Sequence, residues 1–258
     1  MFDNASPDRT ADLVARDFPW VRLVCSSDNQ GFGRATNSLA ASSSAEYLMP
    51  LNPDAILRPD VPGKLREALD TDAAAIAAGP QLIFPHGERQ TSNQRFPDLK
   101  FEIAEAVTGT RFVRFGRWDL LAEIDRVLGV SWRSHGRTER TDVLWATCWL
   151  MRASDYGAHG LFDERLPMYD EDYDYCARMG ALGRMFLYVP SATVVHYGGT
   201  ASSGEETLRL RKKARFRYYR LRRGLGYALA YRAITGTITG CIGILRSARD
   251  ALKDGGDG

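Results

Sequence analysis

The chain has 258 residues, of which 44% are apolar and 26% charged, and this composition excludes an intrinsically disordered protein and allows one large α/β domain with a sizeable core. Its four cysteines are far apart and form no C-x-x-C pair, which indicates neither a zinc site nor a disulfide framework and favours reduced thiols in the cytoplasm. The net charge of +2 conceals an asymmetry, because nine of the fifteen residues 209–223 are Lys or Arg whereas the rest of the chain is acidic.

The first fifty residues read as alternating strands and helices. The chain opens with the end of a strand that runs into a polar turn at residues 7–8. Residues 21–25 form an apolar run of strand length, and a glycine-bearing turn follows over residues 28–33. Residues 34–44 are rich in Ala and other small residues and predict a packed helix. Residues 46–51 then predict another strand.

The tripeptide Asn52-Pro53-Asp54 stands directly after that strand. Ligands of open α/β sheets bind outside the carboxyl ends of the strands, so a carboxylate at this point is a candidate site residue. A magnesium-like cation takes one or two carboxylates and shares substrate phosphates, which makes Asp54 a possible metal ligand. Asn-Pro and Pro-Asp pairs also form ordinary turns, and that interpretation stays open.

The middle of the chain contains a helix, two strands and a region without a regular pattern. Residues 61–69 have helical spacing, and residues 73–84 predict strands that break at Gly79-Pro80. Residues 91–141 show no sustained period and predict an irregular insertion with partial helix around residues 119–127. The insertion either shapes an acceptor pocket or is a plain surface excursion.

An acidic segment follows a predicted buried strand at residues 142–152. Its centre is the acidic cluster, defined as Asp170, Glu171, Asp172 and Asp174. Such a cluster repels itself unless a cation, an ion pair or a proton on one member relieves the repulsion, so it is a candidate chemical site. Acidic residues also favour the first turn of a helix, and a solvated helix start at Glu171 is the alternative.

A histidine closes the last predicted strand. Residues 185–189 and 192–195 predict two strands, and the second ends at His196, before Tyr197 and two glycines. An imidazole at this point can face a ligand, although a structural histidine is the alternative. If the strands are parallel and adjacent, Asp54, Asp172 and His196 converge on one crevice.

The basic segment lies near the end of the chain. Residues 208–223 combine Lys and Arg with aromatic residues and Leu, which predicts a peripheral amphipathic helix on an anionic membrane surface. Nucleic acid is the weaker alternative and is not expected as a partner, because no nucleic-acid motif accompanies the basic segment. Residues 224–245 are too interrupted by glycine and charge to predict a spanning helix.

Five motifs in this order resemble those of family 2 glycosyltransferases, and within that family the rhamnosyltransferase-like branch. They are DNASPD (residues 3–8), NQGFGRATN (29–37), LNPDA (51–55), GLFDERLPMYDEDYDYCAR (160–178) and HYGGTAS (196–202). The resemblance covers roughly residues 1–202 and implies an α/β protein with the glycosyltransferase A fold, a Rossmann-like mixed sheet flanked by helices. Residues 1–204 are then the catalytic domain, and residues 205–258 a basic amphipathic helical tail.

The resemblance also implies roles for particular residues. Asp172 matches the general base, with Glu171 beside it, and Asp54 and His196 match ligands of Mg²⁺ or Mn²⁺. Asn52 replaces the first acid of the usual D-x-D element, which implies fewer charged ligands on the metal. The positions that match the donor site are Asp3, Asn4, Asn29, Gly31, Phe32, Asn37, Asn52 and Asp54.

The implied function is an inverting, metal-dependent transfer of a sugar, with rhamnose as the candidate, from a nucleotide-sugar donor. The acceptor is a glycan or polyprenyl-linked molecule in cell-surface polysaccharide synthesis. We expect the enzyme in the cytoplasm, on the inner face of the plasma membrane. Similar enzymes have a strand and a helix before the DNAS-like motif, so either the start is assigned too late or the chain is a truncated, non-catalytic copy. A nucleotidyltransferase is a weaker alternative, because no triphosphate-binding loop is found near the start.

Overall fold

The computed structural model describes residues 1–108, 136–198 and 205–254. The partial helix predicted around residues 119–127 lies outside them. The elements in chain order are β1 (Phe2–Asp3), α1 (Thr10–Asp17), β2 (Val24–Cys25), α2 (Gly31–Ala41), β3 (Tyr47–Leu48), β4 (Ala55–Ile56), α3 (Val61–Thr71), β5 (Ala75–Ile83), β6 (Asn93–Gln94), α4 (Leu99–Thr108), β7 (Glu139–Thr141), β8 (Val143–Leu144), β9 (Leu150–Arg152), α5 (Ala153–His159), α6 (Glu171–Ala181), β10 (Met185–His196), α7 (Glu205–Arg222) and α8 (Leu225–Asp254).

A mixed sheet forms the centre of the described part of the chain. Its strands have the order β3-β9-β5-β10-β4, and β7 also pairs with β10. The long strands β5 and β10 run parallel, whereas β3, β4, β7 and β9 join the sheet in antiparallel pairs. β1 and β2 form a separate parallel pair, and β6 and β8 an antiparallel one. Helices and a mixed sheet together give the α/β architecture that the sequence predicts.

β5 is one continuous strand, so the predicted break at Gly79-Pro80 is wrong. A side chain at position 79 would collide with Leu144, whose Cδ2 lies 2.7 Å from the position of a Cβ, and glycine removes this conflict. Pro80 pairs with Val189 at the point where the register of β10 shifts, and proline is tolerated at such an irregularity. The two residues therefore interrupt the side-chain pattern without interrupting the strand.

Two other strand predictions also need correction. Residues 142–152 do not form one strand, because a turn at residues 146–147 separates β8 from β9. The two strands predicted within residues 185–195 are instead the single strand β10, which contains an irregularity between Val189 and Thr193.

The two faces of the sheet carry different cores because alternate residues of a strand point to opposite sides. Leu187 and Val189 of β10 pack in an aliphatic cluster with Leu65 of α3. Phe186 and Tyr188 face an aromatic cluster on the other side. That second cluster combines residues of the sheet, α6, α7 and α8, and its largest fully buried members include Trp149, Tyr175 and Tyr219.

The C-terminal segment is helical, as the sequence predicts, and it packs onto the rest of the protein. α7 buries Ala214, Tyr218 and Tyr219 in the aromatic core, and α8 buries Ala228 and Tyr231 there. α8 also packs against α4. In the part of the chain that the structure describes, no helix combines the length and apolar character needed to cross a membrane.

Candidate active site

Asp54 and His196 lie side by side at the edge of the main sheet. β4 and β10 pair in antiparallel register with His196 opposite Ala55, and the amide of Tyr197 donates to the carbonyl oxygen of Asp54 at 3.0 Å. The Nε2 atom of His196 is 3.3 Å from Oδ1 of Asp54. The Asn-Pro-Asp segment does form a turn, since the amide of Ala55 donates to the carbonyl of Asn52 at 3.1 Å. The Asn-Pro-Asp turn therefore also places Asp54 beside His196.

Gln90 determines which nitrogen of His196 carries the proton. Its Oε1 atom is 2.8 Å from Nδ1 of His196, and its amide nitrogen donates to the backbone carbonyl of the same residue. A carbonyl oxygen can only accept, so Nδ1 must be the protonated nitrogen. Burial lowers the pKa of His196, although Asp54 opposes this effect. The lowered pKa favours the neutral ring. The lone pair of Nε2 then faces the carboxylate of Asp54.

Two acceptors that face each other in this way fit a divalent cation. Ligands about 2.1 Å from Mg²⁺ at a right angle lie about 3.0 Å apart, close to the spacing of this pair. Within residues 1–108, 136–198 and 205–254, no group of three or more His, Cys, Asp or Glu side chains is arranged to hold a metal. A cation at Asp54 and His196 would therefore depend on water and substrate phosphate for its other ligands.

Two members of the acidic cluster are neutralised by arginines. Asp170 accepts two hydrogen bonds from Arg215, at 2.8 and 3.0 Å, in a bidentate pair. Asp174 is fully buried and pairs with Arg178, at 2.9 Å, and with Arg222. Arg178 therefore neutralises part of the cluster. These contacts leave Glu171 and Asp172 as the members of the cluster without an arginine partner in the described residues.

The turn before α6 holds these acids in an unusual backbone conformation. Tyr169 and Asp170 both have left-handed dihedral angles, with φ of 64° and 62°. Two successive non-glycine residues in this region are strained, and such strain persists where surrounding contacts enforce it. Arg215 supplies such contacts, because it also donates to Glu102 of α4 at 2.8 Å. α4 and α7 are thereby joined to the turn that carries the acids.

Asp172 is held by backbone amides and has a raised pKa. Its carboxylate accepts from the amides of Tyr173, at 2.8 Å, and Ala146, at 3.4 Å. Burial raises the pKa of Asp172 to about 6, and the charge of Asp170 adds to the effect. Burial raises the pKa of Glu171 well above its ordinary value, and Oε2 of Glu171 has no hydrogen-bond partner among the described residues. Asp172 thus has a pKa of about 6 and is held by two backbone amides, whereas Glu171 has a raised pKa and a carboxyl oxygen without a partner among the described residues.

Asp172 and His196 line the same cavity, which has a volume of about 690 Å³. The segment after β8 connects the two halves of the site. Its Ala146 contacts Asp172, and the carbonyl of Thr147 accepts from the amide of Asn52 at 2.9 Å. Asp172 and His196 therefore share one cavity, and Asp54 adjoins it through its contact with His196 without lining it. Asp54 is brought to His196 by the antiparallel pairing of β4 with β10 and not by a row of parallel strands.

The first motif forms a second polar group beside β1 and β2. Asn4 accepts from the amide of Gln30 at 2.7 Å, and Asn29 accepts from the amide of Gly31 at 2.9 Å. Asp3 is buried, and its Oδ2 accepts from the amide of Ser6 at 3.3 Å. Its Oδ1 atom is buried without a partner in the described part of the chain, so this oxygen can accept a hydrogen bond from a ligand.

Gly31, Phe32 and Asn37 attach α2 to the loop that precedes the acidic cluster. A Cβ at Gly31 would lie 2.1 Å from the carbonyl oxygen of Pro167, so only glycine fits there. The ring of Phe32 packs on Phe162 with centroids 5.5 Å apart. The amide of Asn37 exchanges two hydrogen bonds with the backbone of Phe162, at 2.8 and 3.0 Å. These contacts occupy the side chain of Asn37 within the fold.

Three residues of the site have no signal in the sequence, namely Gln90, Glu102 and Arg215. Gln90 belongs to a polar run over residues 90–94 that resembles a surface loop, yet all five residues are buried. Because these residues are polar, the sequence does not indicate that they are buried beside the cavity. Arg215 is one basic residue among nine in residues 209–223, and only its position on α7 distinguishes it.

The comparisons with known proteins agree on the family. Residues 1–154 match the sequence profile of Glycosyl transferase family 2. The chain belongs to this family. Its relatives include the N-acetylglucosaminyl-diphospho-decaprenol L-rhamnosyltransferase of Mycobacterium tuberculosis, which is 30% identical over 213 residues. That alignment covers 76% of this chain and 64% of the relative, and it confirms the resemblance to the rhamnosyltransferase-like branch.

Solved structures of glycosyltransferases share the fold. Mannosyltransferase PcManGT from Pyrobaculum calidifontis, in complex with GDP-Man and Mn²⁺, has a TM-score of 0.53 and 15% identity, over 98% of this chain and 68% of that one. GalNAc-T7 with UDP, GalNAc and Mn²⁺ has a TM-score of 0.54 and 12% identity, over 84% of this chain and 43% of that one. The predicted glycosyltransferase A fold is confirmed by this similarity.

Proposed function

We propose that the protein is an inverting glycosyltransferase that moves a sugar from a nucleotide-sugar donor to a lipid-linked acceptor. The observation that carries the proposal is the position of Asp172 in one cavity with His196, which is paired with Asp54. One side of the site then offers a base and the other a place for a divalent cation. An inverting transfer needs both, because the acceptor attacks opposite the departing diphosphate.

Asp172 is the base in this reaction. The acceptor hydroxyl oxygen forms a bond to the anomeric carbon while the bond from that carbon to the diphosphate oxygen breaks, and the hydroxyl proton passes to Asp172. A positioned carboxylate contributes ~10²–10⁴-fold to such a step. A pKa of about 6 for Asp172 suits this role, because the group is mostly ionised at neutral pH and still accepts a proton.

Asp54 and His196 are the proposed ligands of Mg²⁺ or Mn²⁺. A divalent cation at this pair supplies positive charge beside the diphosphate that leaves. The presence of Mn²⁺ with the nucleotide or nucleotide sugar in PcManGT and GalNAc-T7 supports the assignment. Asp3 is proposed to contact the nucleoside through its unpaired Oδ1, while Asn4, Asn29, Gly31, Phe32, Asn37 and Asn52 form or support the donor side.

The mycobacterial relative supports the choice of substrates. Its name specifies an acceptor in which N-acetylglucosamine is attached to a polyprenyl diphosphate, and it specifies transfer of L-rhamnose. We infer the same classes here, with a rhamnose nucleotide as donor, in the synthesis of a cell-surface polysaccharide. The exposed basic residues of α7 are proposed to hold the protein on the anionic inner face of the plasma membrane, where a lipid-linked acceptor is available.

The experiment is nucleotide release by purified protein with nucleotide sugars, Mn²⁺ and a lipid-linked acceptor. Asp172→Asn should lower the rate ~10²–10⁴-fold with little change in the affinity for the donor. Asp163→Asn is the matched control, because Asp163 lies in the same segment and pairs with Arg165 at 2.6 Å, and this variant should retain activity. Full activity in Asp172→Asn would refute the base assignment. Absence of release with every donor would favour a non-catalytic protein. Pyrophosphate release from a nucleoside triphosphate and a sugar phosphate, in a parallel assay, would favour a nucleotidyltransferase.

A further inference from the structure

The cavity that contains Asp172 has a wall made by the two C-terminal helices. Its volume of about 690 Å³ is within the range of ligand sites, about 300–1,000 Å³. Asp172 and His196 lie in one part of the lining, and α4 contributes another part. The residues that α7 and α8 contribute are Leu208, Arg211, Lys212, Arg215, Tyr231, Thr235, Thr239, Ile242 and Gly243.

Two of the three cations in this wall are available to a ligand. Arg215 is neutralised by Asp170 and Glu102, at 2.8 Å each. Arg211 and Lys212 are exposed, and neither forms a direct ion pair with a carboxylate in the part of the chain that the structure describes, although the charge of Arg211 acts on the carboxyl group of Glu105. Charged groups that line a cavity and are not directly paired attract a ligand of opposite charge.

The guanidinium of Arg211 lies close to the catalytic turn. It stacks over the ring of Tyr169 at 5.1 Å from the centroid, and Tyr169 is three residues before Asp172 in sequence. Glu105 also lines the cavity; burial raises the pKa of its carboxyl group, and the charges of Arg215 and Arg211 oppose that rise. Arg211 and Lys212 therefore line the same cavity as the proposed base, and Arg211 stacks on the turn that precedes it.

The rest of the wall is largely apolar. Phe101 of α4 and Leu208, Tyr231 and Ile242 of the C-terminal helices line it. The hydroxyl groups of Thr235 and Thr239 donate to carbonyl oxygens of their own helix, each at 2.8 Å, so they do not need hydrogen bonds from a ligand. A ligand that fits this wall combines a strongly anionic group with a hydrocarbon chain.

We propose that this wall binds the polyprenyl diphosphate of the acceptor. Arg211 and Lys212 hold the diphosphate, and the apolar surface between α4 and α8 takes the first isoprene units, which leaves the attached sugar beside Asp172. Arg binds phosphate through two parallel hydrogen bonds and Lys acts as a point charge, so the pair suits a diphosphate. The inference rests on the proposed function and adds a binding site for its acceptor. The donor diphosphate has a different place, at Asp54 and His196.

The test measures binding of farnesyl diphosphate, a short soluble polyprenyl diphosphate without a sugar, to the full chain by calorimetry. Wild-type protein should bind it more tightly than farnesol or inorganic pyrophosphate. Arg211→Gln combined with Lys212→Gln should weaken binding at least about tenfold, because both charges and their hydrogen bonds to the diphosphate are lost. The control removes the same charge from the same helix with Lys213→Gln and Arg217→Gln, which are exposed residues outside the cavity lining.

Equal affinities of the two double variants would overturn the proposal, as would equal binding of farnesyl diphosphate and inorganic pyrophosphate by the wild type. If the first double variant does not fold, Lys212→Gln alone should still weaken binding several-fold. The experiments distinguish a wrong acceptor-binding site from a wrong proposed function. Nucleotide release that both double variants retain equally would refute the site alone. Selective farnesyl diphosphate binding in a protein that releases no nucleotide would refute the function and leave the site.

Discussion

Asp172 and Glu171 are adjacent in sequence but have different surroundings. Burial raises the pKa of both, to about 6 for Asp172 and well above its ordinary value for Glu171. Two backbone amides donate to the carboxylate of Asp172 and favour its ionised form, whereas Oε2 of Glu171 has no partner among the described residues. Two adjacent carboxyl groups in different environments are characteristic of acid and base sites.

The pKa of Asp172 predicts a pH dependence of transfer. A base acts only when it is deprotonated, and the raised pKa means that the group is protonated below about pH 6. The rate constant kcat/KM should therefore fall as the pH is lowered through about 6 and be level above about 7. The profile is measured from about pH 5 to about pH 8 by nucleotide release. A profile without a step near about pH 6 would contradict the role of Asp172.

The proposed role of Gln90, to orient the ring of His196, depends on its contact with Nδ1. Because its carbonyl accepts from Nδ1 of His196, replacement by Leu should free the ring to adopt the other tautomer and should weaken Mn²⁺ binding ~10–100-fold. Gln90→Glu keeps the acceptor and should retain affinity. The measurements are Mn²⁺ binding by electron paramagnetic resonance and the ¹⁵N shifts of His196 in the metal-free protein. Unchanged shifts and affinity in Gln90→Leu would show that Gln90 does not position the ring.

At the scale of secondary-structure elements, α7 is part of the site and not an appendage to it. Arg215 joins α7 to α4 and to the turn before α6, and Tyr219 donates to Glu102 at 2.7 Å. The face of α7 that carries Ala214 and Tyr218 is buried. An acidic cluster held by a basic helix explains how like charges persist close together inside the protein.

Replacement of Arg215 should destabilise the fold strongly. Arg215→Met leaves Asp170 and Glu102 buried without their counterion, and breaking such a pair costs about 3–5 kcal/mol. Burial already raises the pKa of Glu102 to about 7, so the loss should be smaller in acid, where the carboxyl group of Glu102 is protonated. Urea unfolding at about pH 8 and about pH 5 measures both effects.

The matched control for this prediction is Arg217→Met, an exposed position two residues further along α7. Its free energy of unfolding should stay within about 0.5 kcal/mol of the wild-type value. Equal free energies of unfolding for Arg215→Met and Arg217→Met would show that the ion pairs of Arg215 do not stabilise the protein.

At the scale of the whole molecule, the basic segment has two faces with different roles. One face is buried in the aromatic core, and Tyr219 is completely inaccessible. The other face exposes basic residues that are candidates for membrane contact, namely Arg209, Lys213, Arg217, Arg220 and Arg223. Removal of residues 208–258 would thus take away part of the core, and membrane binding is better tested by changes on the exposed face.

Neutralisation of this exposed face should release the protein from anionic membranes. Lys213→Gln, Arg217→Gln and Arg220→Gln together should weaken binding to phosphatidylserine vesicles by about 1 kcal/mol per charge, with an unchanged melting temperature. Arg9→Gln, Arg58→Gln and Arg66→Gln remove the same charge from exposed positions elsewhere and should have a smaller effect. Cosedimentation with vesicles at low and high salt provides the measurement. Equal loss in both variants would indicate that net charge, and not the face of α7, determines binding.

The amino-acid sequence by itself determined the α/β class, the family resemblance and the candidates Asp54, Asp172 and His196. These residues were recognisable because each follows an apolar run or stands among like charges, and both patterns are local. The same local reasoning divided β5 at Gly79-Pro80, because a side-chain pattern does not show that Leu144 fills the space beside the glycine.

Only the tertiary structure decided which acids are neutralised, which nitrogen of His196 faces Asp54, and that the basic helix closes the cavity. The contact between His196 and Gln90 joins residues 106 apart in sequence, and Arg215 reaches across 45 residues to Asp170 and 113 to Glu102. Burial and charge pairing depend on such distant neighbours. Spacing along the chain therefore identified the candidate residues, whereas folding determined their protonation, their partners and the shape of the cavity around them.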